Sequence, residues 1–438
     1  MSIAPKNVHE TLKKYMLVDG FDLVCDLRKS QGCWVYDQRN DKKFLDCFSF
    51  FATVPVGFNH PKMNNPKFIK RIGEVALNKP SNSDTYTREM AEFVETFGDK
   101  AMPDYFKYLF FISGGALAVE NAIKTAFDWK VRKNLDRGKR EKGSKVIHFK
   151  DAFHGRTGYT LSMTNTFDPN KTRYFSTFDW PRVTNPKLSF PLNDENLNHV
   201  KEMEKKAVSE IEQAVQENPD DIAALIIEPI QGEGGDNHFR REFFYKLRSL
   251  CDEHEMMFIL DEVQSGMGIT GRMWAHQNYD FKPDIVAFGK KTQVCGIMVG
   301  ERVDEVRDNV FRVSSRLNST WGGNLVDMVR CQKYLEIIDE ENLVNNADIQ
   351  GKYLQKRLKE LSEKHPDKIS NVRGEGLMCA FDLNSTTKRD RLKNELYRNG
   401  LIILGCGSKS IRFRPPLIVD SEVIDLAIKI IDKSLNKI

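Results

Sequence analysis

Between residues 76 and 325, short apolar runs alternate with stretches of helical periodicity, and this alternation constrains the fold more than any other feature of the chain. The runs are Tyr-Leu-Phe-Phe-Ile (108–112), Lys-Val-Ile-His-Phe (145–149), Ala-Leu-Ile-Ile-Glu (224–228), Phe-Ile-Leu-Asp (258–261) and Ile-Val-Ala-Phe (285–288). Segments this short and this continuously apolar read as strands buried on both faces. Strands separated by helices form βα units, which predicts an α/β fold with a mostly parallel central sheet and helices on both faces. In such a sheet the ligand crevice lies outside the carboxyl ends of the strands.

Two of the runs deliver an ionisable side chain to that edge. Met-Met-Phe-Ile-Leu closes on Asp261, and Pro-Asp-Ile-Val-Ala-Phe-Gly leads into Lys290 and Lys291. An amine and a carboxylate placed together there suit pyridoxal 5′-phosphate, which needs an amine for a Schiff base and a carboxylate for its pyridinium nitrogen. The pairing points to an enzyme. A protein that merely binds ligands has no use for both groups at neighbouring strand ends.

Composition excludes other classes. Lys and Arg number 66 against 62 Asp and Glu, and a net charge of +4 is too weak to argue for nucleic acid or an acidic membrane. The most basic stretch, 130–145, carries acids and no interleaved aromatics, and reads as a solvated helix end and loop. The longest apolar runs fall far short of a membrane span, and the first residues lack the apolar core of a secretory signal, so a cytoplasmic location is expected. Cysteines at 25, 33, 47, 251, 295, 331, 379 and 406 never stand at Cys-x-x-Cys spacing, which predicts buried thiols and no metal site. Cys295 lies close enough to Lys290 to border a site there, although packing explains it equally well.

The α/β block is flanked by shorter strand-like runs at both ends of the chain. Residues 1–75 and 326–438 are therefore expected to build one smaller α+β domain beside a large domain at 76–325. A long helical pattern runs from Leu325 into the 360s with a break near Asn345 and Asn346, and the chain ends in an amphipathic helix.

Four further segments carry chemistry. Phe-Ile-Ser-Gly-Gly-Ala is a strand, a tight small-residue turn and a helix start, where Gly115 and Ala116 could offer backbone N–H groups to a phosphate. Phe153, His154 and Arg156 share a Gly-containing loop; Phe153 could stack on a ring and Arg156 could clamp a carboxylate. Glu233 sits on a Gly-rich turn after another buried strand. Arg412 and Arg414 fall on one side of a strand, where a surface ion pair is the ordinary explanation.

In this order, the motifs Ser-Gly-Gly-Ala, Phe-His-Gly-Arg, Glu-Pro-Ile-Gln-Gly-Glu, Leu-Asp-Glu-Val-Gln-Ser-Gly, the strand-end lysine and Arg-Phe-Arg-Pro-Pro resemble the class III (ω-amino acid) aminotransferases, pyridoxal-phosphate enzymes of fold type I. The similarity runs from about residue 20 to the end. The wording at Gly-Lys290-Lys291-Thr-Gln-Val-Cys and at 315–324 is similar to the branch that moves the ε-amine of L-lysine to 2-oxoglutarate.

The resemblance implies a role for each matched residue. Lys290 would bind the cofactor and shuttle the proton, Asp261 would pair with the pyridinium nitrogen, and Phe153 would stack on the ring. Gln264 would reach the phenolic oxygen, and Gly115 and Ala116 would hold the phosphate. Thr320 would reach the phosphate of a neighbouring subunit, which implies a homodimer. Arg156 would take the α-carboxylate of lysine and Arg412 that of 2-oxoglutarate, with Glu233 masking Arg412 while lysine reacts. Ornithine or 4-aminobutyrate as donor, or an aminomutase or decarboxylase reaction on the same fold, are the competing expectations.

Overall fold

The computed structural model describes residues 3–438. The first two strands form a short antiparallel hairpin, β1 (Trp34–Asp37) and β2 (Lys42–Asp46). The central sheet follows: β3 (Phe106–Ile112), β4 (Lys145–Phe149), β5 (Arg182–Val183), β6 (Ile222–Ile227), β7 (Met257–Asp261), β8 (Ile285–Phe288) and β9 (Cys295–Gly300). Its spatial order is β3-β9-β8-β7-β6-β4-β5, and only β9 runs against its neighbours. Sequence reading missed β9, because Cys-Gly-Ile-Met-Val-Gly looks like the tail of the preceding turn.

Period-two alternation sends the side chains of each strand into two separate cores. Met257 and Ile259 pack with Ala122, Ile123 and Trp129 of helix α1 (Gly115–Asp136) on one face. Phe258 and Leu260 pack on the other face with Phe243, Phe244 and Leu247. Every residue of β6, β7, β8 and β9 is buried. At roughly 1.5–3 kcal/mol for each fully buried large aliphatic or aromatic side chain, the two faces hold the strand ends firmly in place.

Segments from both ends of the chain meet in one sheet. β10 (Ile369–Glu375), β11 (Met378–Leu383), β12 (Leu401–Ile402), β13 (Leu404–Cys406) and β14 (Ser410–Arg412) lie near the end of the chain, and β12 pairs in parallel with β2, Leu401 opposite Leu45. The other four form the order β10-β11-β14-β13. The long C-terminal helical pattern is two helices, α2 (Leu325–Glu340) and α3 (Leu343–Lys364). They part at Asn342, in a left-handed conformation (φ 51°), earlier than Asn345 and Asn346 suggested. Asn346 instead lies inside α3, donating its amide to the carbonyls of Leu417 (2.7 Å) and Val419 (3.0 Å).

Among the described residues, no helix is long and apolar enough to cross a membrane. The basic stretch is largely neutralised within the fold: Arg137 and Lys133 meet Glu255, and Lys139 meets Asp220. Lys130, far from solvated, is buried and donates to the carbonyl of Glu255 at 2.9 Å.

Candidate active site

The carboxyl ends of β7 and β8 lie side by side, with Asp261 opposite Ala287. Beyond β8 the backbone passes through extended Gly289 into Lys290, which takes a left-handed φ of 53°. A side-chain Cβ at position 289 would come within 2.9 Å of the Cys295 sulfur, so this approach requires glycine. Lys290 thereby enters a cavity of about 550 Å³ lined also by Gly114, Gly115, Ala116, Phe153, Arg156, Asp261 and Gln264. Lys291 points elsewhere: it is buried, and its amine donates to the Gln264 carbonyl at 2.6 Å. The double lysine thus resolves into one pocket amine and one packed amine.

Burial, reinforced by the charges of Arg412 and Arg414, lowers the Lys290 amine to about 7, with Asp261 and Glu228 opposing the shift. Near neutral pH a large fraction of this amine is unprotonated and nucleophilic.

Asp261 is buried and both of its oxygens are occupied. Oδ1 accepts the backbone N–H of Val263 (3.1 Å), and Oδ2 lies 2.8 Å from Nδ1 of fully buried His154. With the carboxylate ionised, that nitrogen carries the proton. Sequence reading placed His154 on its Gly-containing loop but gave it no partner. It lies 107 residues from Asp261, and the only signal was its position inside the Phe-His-Gly-Arg loop. Its backbone N–H is fixed in turn by Thr164 Oγ1 at 3.1 Å.

Glu228 ties two loops together, accepting from the N–H of Phe153 (2.9 Å) and of Gly232 (3.0 Å). Burial and then the charge of Asp261 push its carboxyl well above the usual carboxylate range. Phe153 is half-buried and faces the cavity, and Arg156 stands exposed at its edge.

Gly114, at φ 108°, leads directly into α1, and no side chain caps this helix. The first-turn N–H groups of Gly115 and Ala116 thus border the cavity as an anion cradle. Close packing holds the cradle: a Cβ on Gly155 would meet that of Ala116 at 2.5 Å. An anion cradle, an amine of lowered pKa and a fastened carboxylate in one cavity fit pyridoxal 5′-phosphate.

The two arginines are buried, contrary to the expected surface pairing. Arg414 forms a bidentate pair with Asp236, at 2.8 and 2.5 Å. Arg412 donates to the Gly232 carbonyl (3.0 Å) and makes a long contact with Gln264 Oε1 (3.5 Å). Glu233 does not lie against Arg412 in this conformation: its Oε1 pairs with the Lys171 amine, and Oε2 is buried without a partner. Nothing in the local sequence marked Lys171, which closes a 3-10 turn at Pro169–Lys171. Thr320 is exposed, its carbonyl accepting from Ser81 Oγ at 2.5 Å, and it does not line the cavity of its own chain.

Comparison with known proteins bears on the whole chain. The Aminotransferase class-III family profile matches residues 15–435. An L-lysine-epsilon aminotransferase of Mycobacterium tuberculosis is 50% identical over 98% of this chain and 96% of its own length. One of Streptomyces clavuligerus is 46% identical over 99% of this chain and 95% of its own length. The solved structure of a lysine aminotransferase from M. tuberculosis in the internal aldimine form superposes with a TM-score of 0.97 at 49% identity, covering 99% of this chain and all of that one.

Proposed function

The chain belongs to the class-III aminotransferase family, and from that premise we propose that it moves the ε-amino group of L-lysine to 2-oxoglutarate. The products are 2-aminoadipate 6-semialdehyde, which cyclises onto its own amine to a piperideine carboxylate, and L-glutamate. The observation that carries this reading is the meeting of Lys290 and fastened Asp261 at one anion cradle, in a chain 50% identical to an L-lysine-epsilon aminotransferase.

When bound, pyridoxal phosphate supplies an aldehyde that takes up amines and a ring that withdraws electrons from the substrate carbon. The residues of the chain do the rest. Gly115 and Ala116 would hold the phosphate through backbone N–H groups, and Phe153 would cover the ring. Gln264 would donate its amide to the phenolic oxygen. Asp261, oriented by His154 at 2.8 Å, would face the pyridine nitrogen as its hydrogen-bond partner. Lys290, whose amine burial lowers to about 7, would be the base that takes the proton from the amine-bearing carbon of the substrate.

Substrate choice falls to the cations. Arg156 takes the α-carboxylate of L-lysine, which leaves the ε-amine to react. Arg412 takes the carboxylate beside the keto group of 2-oxoglutarate. Glu233 covers Arg412 while lysine reacts, so that lysine cannot present its α-amine, and leaves it when the dicarboxylate binds.

The enzyme works as a cytoplasmic homodimer in which Thr320 serves the phosphate of the partner. Exposure of Tyr86 (80%) and Trp321 (46%) around the Thr320 loop supports a face covered by a second copy.

The test uses cofactor-loaded protein, 2-oxoglutarate and L-lysine labelled with nitrogen-15 at the ε-position, with ornithine and 4-aminobutyrate as competitors. Labelled glutamate, with lysine preferred, is expected. Unlabelled glutamate means α-transfer and a wrong pose for lysine; no glutamate means another donor or another reaction.

A further inference from the structure

We propose that Lys171 is the second seat of Glu233: a positioning residue that draws the carboxylate off Arg412 and so readies the pocket for the dicarboxylate substrate. This rests on the reading of Glu233 as the mask of Arg412, and names the group that takes the mask when it is off.

The turn carrying Glu233 is fixed, so only its side chain can move. The Glu233 carbonyl accepts the N–H of Gly407 at 2.8 Å. A Cβ on Gly234 would lie 2.1 Å from the Asp151 carbonyl, and one on Gly407 would lie 2.6 Å from that of Gly234. Arg412 is anchored to the same turn, since it donates to the carbonyl of Gly232, the residue before Glu233. Burial lowers the Arg412 guanidinium below its usual range, and the charge of Glu233 is among the weaker influences that oppose this. One carboxylate on this turn thus pairs with Lys171 while the neighbouring residue of the same turn holds Arg412.

The structure shows the Lys171 arrangement. The Lys171 amine pairs with Glu233 Oε1, with only 19% and 20% of the two side chains exposed. That amine also lies 6.0 Å from the ring centroid of Phe153, which lines the cavity. Two buried polar atoms are left over: Oε2 of Glu233 and Nε of Arg412 have no hydrogen-bond partner. A buried guanidinium with an unused donor and only carbonyl and amide partners is prepared for an incoming carboxylate. Because Glu233 exchanges one cation for another, a substrate carboxylate that binds one of them better can shift the balance.

Removing Lys171 leaves Glu233 with Arg412 alone. Every substrate whose α-carboxylate uses Arg412 is then disfavoured, while lysine, bound through its remote amine, is not. The experiment measures half-reactions of the holoenzyme by the cofactor absorbance, with 2-oxoglutarate, L-glutamate and L-lysine, in K171M, K171R, E233Q and K171M/E233Q. K171M is expected to weaken 2-oxoglutarate and L-glutamate about tenfold, equivalent to about 1.4 kcal/mol, and to raise the ratio of kcat/KM for L-lysine over L-glutamate. K171R retains most of the wild-type behaviour, and K171M/E233Q behaves as E233Q does. Equal losses with all three substrates, or unaltered dicarboxylate binding in K171M, overturn the proposal. If E233Q leaves the lysine-to-glutamate ratio unchanged, the mask itself fails. If E233Q is silent and K171M still loses dicarboxylates, Lys171 binds substrate directly and the second-seat role is wrong.

Discussion

Replacing His154 with leucine tests the least expected part of the site. Leucine keeps nearly the volume of the imidazole, so packing around this 2%-exposed position changes little. What is lost is the 2.8 Å bond from Nδ1 to Oδ2 of Asp261, inside a region where neither side chain is more than 5% exposed. Hydrogen bonds to charged groups contribute roughly 1.5–3 kcal/mol, and burial puts this one toward the upper part of that range. Asp261 keeps only the Val263 N–H at 3.1 Å, so its carboxylate is less stabilised and the cofactor ring it serves is less often protonated. H154L should therefore slow both half-reactions by about 10- to 100-fold, with substrate KM values little altered, because the ring is common to both. Stopped-flow absorbance with L-lysine and then with 2-oxoglutarate measures the two rates separately. H154N, whose amide nitrogen can occupy the Nδ1 position, should recover much of the loss. Rates within twofold of wild type in H154L, or a loss confined to one half-reaction, would refute the reasoning.

Other expectations follow from the same geometry. K290A should lose the borohydride-trappable bond to the cofactor while K291M retains it, as mass spectrometry of the reduced protein will report, since Lys291 is spent on the Gln264 carbonyl. Reconstitution of the apoprotein with cofactor should slow as pH falls through about 7, because a Lys290 amine of that pKa is protonated and non-nucleophilic below it; rates that stay flat between pH 6 and 8 would contradict the lowered value. D236A strands the fully buried Arg414 charge and should cost about 3–5 kcal/mol in denaturant unfolding, far more than loss of an exposed pair such as Lys352 with Asp348.

Much of the architecture was legible because it is local. Two-faced burial imposes continuous apolar runs, so β4, β6, β7 and β8 stand out in the sequence, and the strand-end positions of Asp261 and Lys290 follow from where those runs stop. β9 escaped because its two glycines dilute the apolar signal, and Gly296 is required there: a Cβ would come within 2.3 Å of the Phe110 carbonyl. The helix break near Asn345 was misplaced because asparagine suits both a left-handed stop and a helix start, and only the fold selects Asn342 for the first.

Residue order alone is enough to give the α/β alternation, the glycine turn at the head of α1 and the delivery of one amine and one carboxylate to the same sheet edge. Period-two burial and strand ends are short-range properties that neighbouring residues dictate. The tertiary structure alone decided which of two adjacent lysines enters the cavity, that His154 fastens Asp261, that Arg412 and Arg414 are buried, and that Glu233 rests on Lys171. Each of those outcomes depends on which oppositely charged or hydrogen-bonding groups the fold brings within about 3 Å. In a buried, low-dielectric site that proximity sets the charge state and the partner, and sequence separation carries no information about it.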